Sequence, residues 1–224
     1  MKAMLLAAGR GQRMRPLTDT VPKPLLEVGG RSLLVHNVER LVQAGFTELV
    51  INHAWLGQRI VEALGDGSLW GARIVYSPEP AGALEVGGGI RHALPLLGDG
   101  PFVTLNADVW TDYAFERLRA VTPELAHLVL ADNPPHCPQG DFSLRADGTV
   151  ADEGSDRLTF TGIAAYHPDF FAHEPAGRFA LAPMLRRAMR HGQVSGERHP
   201  GTWMDIGTPE RLAALDASLA GGAR

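Results

Sequence analysis

The chain has 224 residues, of which 45% are hydrophobic and 21% are charged, as in an ordinary globular protein. Its net charge of -4 and its pI near 6.1 exclude a broad basic surface, so nucleic acid is not expected as a partner. No apolar run approaches the roughly 20 residues of a membrane span, and the N-terminal run is too short for a secretory signal. The single cysteine, Cys137, cannot form an intrachain disulfide, and we expect a cytoplasmic protein.

The first 131 residues alternate between short apolar runs and helical repeats. The apolar runs predict strands at residues 2–7, 47–52, 72–76, 101–106 and 125–131. The repeats predict helices at residues 32–44, 55–64, 90–97 and 113–121. Pro95 is expected to end or kink the third of these helices. This alternation is typical of an α/β fold with a doubly wound, mostly parallel, Rossmann-like sheet.

The pattern changes after residue 131. A proline-rich loop at 132–140 precedes short alternating runs, which predict antiparallel strands at 141–145, 149–152 and 158–166. A helix at 180–190, a strand at 194–199 and a last helix at 209–219 follow. We therefore expect a single domain over residues 1–224, with a core at 1–131 and an inserted antiparallel patch within 132–224.

The first predicted strand ends in a loop rich in glycine and arginine. Gly9 and Gly11 let backbone N–H groups approach a ligand closely, and Arg10, Arg13 and Arg15 add positive charge. Open α/β sheets bind ligands at the carboxyl ends of their strands. The loop is therefore predicted to hold an anion, and a triphosphate is a natural occupant.

Two common phosphate-binding motifs do not fit this loop. Met14 stands where a dinucleotide fingerprint needs its third glycine, and no Gly-Lys-Ser/Thr ends the loop as in a Walker motif. A tight surface turn with solvated arginines would explain a lone Gly-x-Gly. It does not explain Pro22-Lys23-Pro24, where two prolines restrict the direction of the Lys23 side chain.

Two strings in this region resemble the signature of the sugar-1-phosphate nucleotidyltransferases. They are Leu5-Leu6-Ala7-Ala8-Gly9-x-Gly11-x-Arg13-Met14-x-Pro16-Leu17-Thr18 and Pro22-Lys23-Pro24-Leu25. The resemblance covers nearly the whole chain and implies that the loop wraps a nucleoside triphosphate, with Arg13 and Lys23 on its phosphates. No hexapeptide repeats follow, so the C-terminal β-helix of bifunctional members and its acyltransferase activity are not expected.

The resemblance also implies which residues bind the nucleotide: Ala8, Gly9, Gly11, Gln12, Arg13, Lys23, Glu85, Gly87 and Gly88. The last three belong to a second glycine cluster, Glu85 to Gly89, a glycine-rich turn that is expected to open the helix at 90–97. There the backbone could approach a flat base closely, although a plain loop is the alternative. Val86 departs from the threonine that is common in relatives and lacks its hydroxyl.

Asp108 and Asp205 are the expected ligands of Mg²⁺, the cofactor that the resemblance implies. Asp108 follows the strand at 101–106, with Ala107 in place of the family's usual glycine, and Asp205 precedes the last helix. Either aspartate could instead cap a helix or a turn, but Thr208 before Pro209 is the better cap for the last helix. The expected catalytic set is Arg13, Lys23, Asp108 and Asp205.

The sugar is expected to lie over the antiparallel patch. The candidates for binding it are Asn106, Asp141, Glu153, Thr161 and Gly162. Asp141 could instead be a turn residue, and Glu153 a solvated hairpin charge. A sugar that carries a carboxylate would need a basic partner, for which Arg145, Arg157, Arg178 and Arg198 all stay open.

The resemblance implies an enzyme that joins a nucleoside triphosphate to a sugar 1-phosphate and releases pyrophosphate. Four further strings, at residues 51–57, 93–99, 108–113 and 181–186, resemble the short uridylyltransferases of bacterial cell-wall recycling, which favours UTP. The mannose-1-phosphate guanylyltransferases are the nearest alternative. A nucleotide-binding sensor without catalysis is an alternative of another class, and an NAD-dependent oxidoreductase is disfavoured by the missing third glycine. We expect a monomer or a weak homo-oligomer.

Overall fold

The computed structural model describes residues 1–80 and 83–221. Its strands are β1 (Lys2–Leu6), β2 (Glu27–Val28), β3 (Arg31–Ser32), β4 (Glu48–His53), β5 (Arg73–Pro78), β6 (Phe102–Asn106), β7 (Val109–Thr111), β8 (Ala126–Ala131), β9 (Phe142–Leu144), β10 (Val150–Ala151), β11 (Arg157–Tyr166), β12 (Val194–His199) and β13 (Trp203–Asp205). Its α-helices are α1 (Leu33–Gln43), α2 (Gly57–Leu64), α3 (Glu85–Leu97), α4 (Asp169–Ala172), α5 (Leu181–Met189) and α6 (Pro209–Gly221).

A parallel half-sheet forms the first part of the fold, with β5, β4, β1 and β6 side by side in that order. Successive residues of β1 point to opposite faces, so Leu5 packs in one core and Met4 in the other. The first core includes buried residues of α1 and α2, and the second includes those of α3 and α5. Helices therefore cover both faces, and the predicted doubly wound, mostly parallel sheet is confirmed.

Antiparallel strands extend the same sheet. The long strand β11 runs antiparallel to β6 on one side and to β8 on the other, and β12 then pairs with β8 in parallel. The β9–β10 hairpin joins the start of β11, as the alternating sequence predicted. A register shift between Phe160 and Ala164 interrupts the pairing of β11 with β8, as a β-bulge does.

Two predicted helices differ from the structure. The helix expected at 90–97 begins five residues earlier, at Glu85, so the glycine cluster that was expected to open it forms its first turns. Pro95 does not end this helix, because Ala93 and Leu97 on either side of it are buried and their packing outweighs one missing hydrogen bond. The helix expected at 113–121 is a 3₁₀ helix over Phe115–Ala120.

A third, smaller core connects the two ends of the chain. It contains Met14 from the loop after β1, Val28 from β2, Ile206 beside Asp205, and Leu215 from α6. These side chains are buried, so the packing fixes the loop after β1 against the segment around Asp205. No helix in residues 1–80 and 83–221 is long and apolar enough to cross a bilayer.

Candidate active site

A cavity of about 360 Å³ opens at the carboxyl ends of the parallel strands. This is the edge at which open α/β sheets hold their ligands, because strand ends and helix starts converge there. Its lining includes the predicted residues Ala8, Gly9, Gly11, Gln12, Arg13, Lys23, Glu85, Asn106 and Asp108. It also includes Leu6, Ala7, Pro24, Asn52, Glu79, Ala83, Val86 and Gly207.

Gly11 is required by the shape of the loop after β1, which we call the phosphate loop (residues 9–20). Its φ of +66° lies in the left-handed region that favours glycine. A Cβ at this position would lie 3.0 Å from Cγ2 of Thr18 and 3.1 Å from Cβ of Lys23. A larger residue at position 11 would therefore strain the loop where it closes on Thr18 and Lys23.

Of the three arginines in the phosphate loop, only Arg13 lines the cavity. Arg10 and Arg15 both pair with Asp19, at 3.3 and 2.7 Å from its Oδ1. The two guanidinium groups, with Arg15 making the larger contribution, hold the pKa of Asp19 below its ordinary value. The expectation that all three arginines surround the ligand is therefore wrong, because Asp19 neutralises two of them outside the cavity.

Lys23 and Asp108 meet on the cavity wall. Lys23, which has a proline on each side, begins a single 3₁₀ turn over Lys23–Leu25, and its Nζ contacts Oδ2 of Asp108. The lysine side chain is 12% exposed and the aspartate side chain 28% exposed. A cation and a carboxylate thus share one partly buried position just after the end of β6.

Asp205 is brought next to Asp108 by the pairing of β7 with β13. Asp205 lies opposite Val109, and the N–H of Ile206 donates to the carbonyl of Asp108 at 2.9 Å. Arg211 and His136 hold the Asp205 carboxylate, with Nη1 and Nε2 at 2.5 and 2.8 Å from its Oδ1. Asp205 itself is outside the cavity lining, which reaches this segment at Gly207.

These two carboxylates fit a Mg²⁺ ion by their chemistry. Mg²⁺ sites in phosphate-transferring enzymes use one or two carboxylates and take their other ligands from substrate phosphates and water. In the described part of the chain, no group of three or more His, Cys, Asp or Glu side chains could hold a metal by itself. A Mg²⁺ ion held by Asp108 and Asp205 would take its remaining ligands from outside these two side chains.

One known protein family matches more than half of the chain. The family described as nucleotidyl transferase matches residues 2–136, which contain the phosphate loop, Lys23 and Asp108. The chain belongs to the nucleotidyl transferase family.

This nucleotidyl transferase is similar to two curated uridylyltransferases over almost its whole length. It is 56% identical to the N-acetylmuramate alpha-1-phosphate uridylyltransferase of Neisseria meningitidis, covering 99% of both chains. It is 38% identical to the protein of the same name from Caulobacter vibrioides, over 97% of this chain and 96% of that protein. The mannose-1-phosphate guanyltransferase of Aspergillus fumigatus is 30% identical, over 94% of this chain and 62% of that protein.

Solved structures agree with the fold. A Bacillus anthracis protein, described provisionally as a glucose-1-phosphate thymidylyltransferase and solved with sucrose, superposes with a TM-score of 0.85 at 21% identity, covering 98% of this chain and 95% of that one. HddC from Yersinia pseudotuberculosis, solved with GMP-PN, superposes with a TM-score of 0.80 at 16% identity, covering 97% and 98%. At these identities the likeness concerns the fold alone.

The second glycine cluster of this nucleotidyl transferase serves packing more than ligand approach. A Cβ on Gly87 would lie 2.6 Å from the ring of Phe179, and one on Gly88 would lie 2.2 Å from the carbonyl oxygen of Gly177. The N–H of Gly88 also donates to the carbonyl of Phe179 at 3.1 Å. Gly87 and Gly88 therefore face the segment at 177–179, and this element reaches the cavity through Glu85 and Val86.

The predicted sugar-binding residues lie in different places. Asn106 lines the cavity, and Gly162 packs on it, since a Cβ there would lie 2.3 Å from Nδ2 of Asn106. Thr161 is buried and donates its hydroxyl to the carbonyl of Val129. The carboxylate of Asp141 accepts from the N–H of Phe160 at 2.8 Å, and Glu153 lies between β10 and β11. Only Asn106 of this set is part of the cavity lining.

Asn52 and Glu79 are cavity residues that the sequence reasoning missed. Oδ1 of Asn52 accepts from the N–H of Ala7 at 2.8 Å, and its Nδ2 donates to Oε1 of Glu79 at 2.6 Å. The other oxygen of Glu79 accepts from the N–H of Leu84 at 2.7 Å. The sequence does contain a pattern that could have indicated Glu79. This residue lies between Pro78 and Pro80 at the end of a strand, and Lys23 is likewise a charged residue between two prolines.

Proposed function

We propose that the protein transfers the uridylyl group of UTP to N-acetylmuramate 1-phosphate and releases pyrophosphate. One observation carries this proposal: 56% identity over 99% of both chains to a protein of that named activity. The cavity supports it independently, because it combines a glycine loop, a lysine and an arginine with a carboxylate at the strand ends. The product is a nucleotide-activated cell-wall sugar, so the enzyme would act in peptidoglycan recycling.

The reaction needs positioning and charge stabilisation more than proton transfer. An oxygen of the sugar phosphate attacks the α-phosphorus, and the bond to the pyrophosphate oxygen breaks. Because the attacking oxygen is already an anion, no general base is required. Arg13 and the backbone of the phosphate loop would bind the triphosphate, and Lys23 would hold the α-phosphate or the incoming sugar phosphate.

Asp108 and Asp205 are the residues that would hold Mg²⁺. When bound, the metal supplies charge neutralisation at the α-phosphate and at the leaving pyrophosphate. Lys23 already pairs with Asp108, so this part of the cavity brings a fixed cation to the phosphates beside the carboxylates. A reaction that consumes UTP takes place where nucleoside triphosphates are made, and we propose a cytoplasmic location on that ground.

A muramic acid sugar carries a lactyl carboxylate. The sequence offers four arginines as candidates to pair with that carboxylate. Arg157 donates to the carbonyls of Asp141 and Asp152, and Arg198 pairs with Asp132. Arg178 pairs with Glu85, which lines the cavity. We propose Arg178 for this role, because its ion pair places it at the rim of the cavity.

Pyrophosphate release with Mg²⁺ tests the proposal. UTP, dTTP and GTP are each combined with the 1-phosphates of N-acetylmuramate, N-acetylglucosamine, glucose and mannose. We expect release with UTP and the muramate sugar. Preferred release with GTP and mannose 1-phosphate would keep the chemistry and replace the substrates with those named for the fungal relatives. A folded protein that binds UTP but releases no pyrophosphate with any pair would be a sensor.

A further inference from the structure

Trp55, in the turn after β4, contacts the phosphate loop outside the cavity. The guanidinium carbon of Arg10 lies 3.7 Å from the centroid of the Trp55 ring. The indole Nε1 of Trp55 donates to the carbonyl of Thr18 at 3.0 Å, and Nη1 of Arg10 donates to the same carbonyl at 2.9 Å. Two stacked side chains from two different elements thus converge on one backbone acceptor.

Thr18 connects this contact to the cavity. Thr18 is completely buried, and its hydroxyl donates to the carbonyl of Gly11 at 2.8 Å. Its methyl group packs against Gly11, where a Cβ would lie 3.0 Å away. Gly11 leads directly into Gln12 and Arg13, which line the cavity. The position of the cavity-lining part of the loop therefore depends on where Thr18 is held.

The turn that carries Trp55 is itself fixed. Leu56 has a φ of +51°, and the following Gly57 packs so closely on the imidazole of His53 that a Cβ would lie 2.0 Å from its Nδ1. From α2, Arg59 donates to the carbonyl of Thr20 at the end of the phosphate loop. The turn after β4 and the first turn of α2 thus hold the outer side of the phosphate loop.

We propose that Trp55 and Arg10 form a clamp that fixes the phosphate loop for binding a triphosphate. Trp55 is then a positioning residue for the nucleotide. Arg10 acts through Thr18 and not by contact with phosphate. The clamp explains why Arg10 lies outside the cavity although it stands in the middle of the glycine loop. The proposal rests on the proposed function in one respect only, that the cavity binds UTP.

A double-mutant cycle separates the clamp from a direct phosphate contact. Trp55→Phe keeps the aromatic face and removes the N–H donor, Trp55→Leu removes both, and Arg10→Gln removes the charge. The dissociation constant of UTP is measured by calorimetry with Mg²⁺ and without sugar 1-phosphate. Each single substitution is expected to weaken binding about 3- to 10-fold, with Trp55→Phe at the lower end, as for the loss of one hydrogen bond.

The coupling between the two substitutions decides the outcome. With a clamp, Arg10→Gln costs almost nothing once Trp55→Leu has been made, because Arg10 has then lost the ring on which it stacks and no longer holds the loop. An arginine that binds phosphate would lose the same affinity in both backgrounds, and that result would overturn the proposal. Arg15→Gln is the matched control, since it removes an equal charge from an exposed arginine that pairs with the same Asp19.

Hydrogen exchange in the nucleotide-free protein tests the clamp without any ligand. Trp55→Leu is expected to speed amide exchange of residues 9–20 at least several-fold while the amides of β1 and β4 keep wild-type rates. Unchanged exchange in the loop would contradict the clamp whatever the substrate is. If the wild-type protein does not bind UTP, the proposed function fails, and the exchange experiment still decides the clamp.

Discussion

Asp108 is the single residue at which substitution is expected to cost the most activity. Its carboxylate contacts Lys23 on the cavity wall and is 28% exposed. Asp108→Asn keeps the size of the side chain and removes its charge. We expect kcat to fall about 10²- to 10³-fold, the usual cost of removing one group that stabilises transition-state charge. Pyrophosphate release at saturating substrates measures the change.

Asp112→Asn is the matched control for Asp108. Asp112 lies four residues further along the chain, is 57% exposed, and pairs with His199 outside the cavity. Its substitution is expected to leave kcat within a factor of about 2. Both variants should unfold at nearly the temperature of the parent. Near-native turnover in Asp108→Asn would remove this aspartate from the proposed metal site.

The three loop arginines are expected to differ in their effect on catalysis. Arg13 lines the cavity, whereas Arg15 is 60% exposed on its side chain and pairs with Asp19. Arg13→Lys keeps the charge but loses the planar, forked donor geometry that suits phosphate. We expect kcat/KM for UTP to fall about 10- to 100-fold, the range for a hydrogen bond to a charged group.

Arg15→Lys, the matched variant, is expected to show nearly the parent kcat/KM in the same assay. Equal losses in the two variants would mean that both arginines reach the triphosphate. The sequence alone predicted one positive cradle from all three arginines. It could not assign them, because the distinction depends on Asp19, which pairs with two of them in space.

At the scale of elements, the apolar strands were predicted within one or two residues of their observed bounds. Strand β6, for example, is a buried run that ends where Asn106 meets the cavity. Helix α3 was predicted five residues too short, because three consecutive glycines have a low helix propensity. Tertiary packing outweighs this low propensity, because glycine has no side chain and so leaves room for the segment at 177–179.

Gly88→Ala tests whether α3 needs glycine for this contact. The added Cβ would lie 2.2 Å from the carbonyl oxygen of Gly177, so the backbone segment must move. We expect the free energy of unfolding to fall by about 1–3 kcal/mol, the usual cost of overpacking, as measured by urea denaturation. Gly100→Ala is the control, because nothing lies within 4 Å of its Cβ position. Unchanged stability in Gly88→Ala would mean that the segment can move freely.

The pairing of β8 with β12 is expected to make stability depend on pH. Nδ1 of His127 lies 2.9 Å from the Ser195 hydroxyl, and its Nε2 is buried without a partner among the described residues. Burial lowers the pKa of His127 below 6.5, with Glu197 opposing the shift and Arg117 adding to it. Between the two pKa values the unfolded chain binds more protons, so stability increases with pH in that window.

The expected result is a melting temperature that falls as the pH is lowered from about 7.5 to about 5.5. In His127→Gln the same fall should be smaller, because the group that binds the extra proton on unfolding is gone. His191→Gln, at an exposed histidine, should keep the full dependence. An equally steep pH profile in His127→Gln would assign the effect to other groups.

At the scale of the molecule, one sheet passes through both parts of the chain that the sequence distinguished. Strand β11, from the second part, separates β6 and β8, which both come from the first part. The sequence predicted the antiparallel runs but not where they insert. The place at which these strands join the sheet depends on which strand edges are unpaired. The local spacing of apolar residues carries no information about this.

A chain that ends at residue 131 is therefore expected not to fold. Strand β8 would lose both of its neighbours, β11 and β12, and β6 would lose one. The ring of Phe102 would also lose Tyr166 and Phe171, whose centroids lie 6.1 and 6.2 Å from it. Circular dichroism during urea titration should show no cooperative transition for 1–131 and one transition for 1–221. A cooperative transition in the shorter chain would mean that the first 131 residues form a domain of their own, because only an independent core unfolds as a unit.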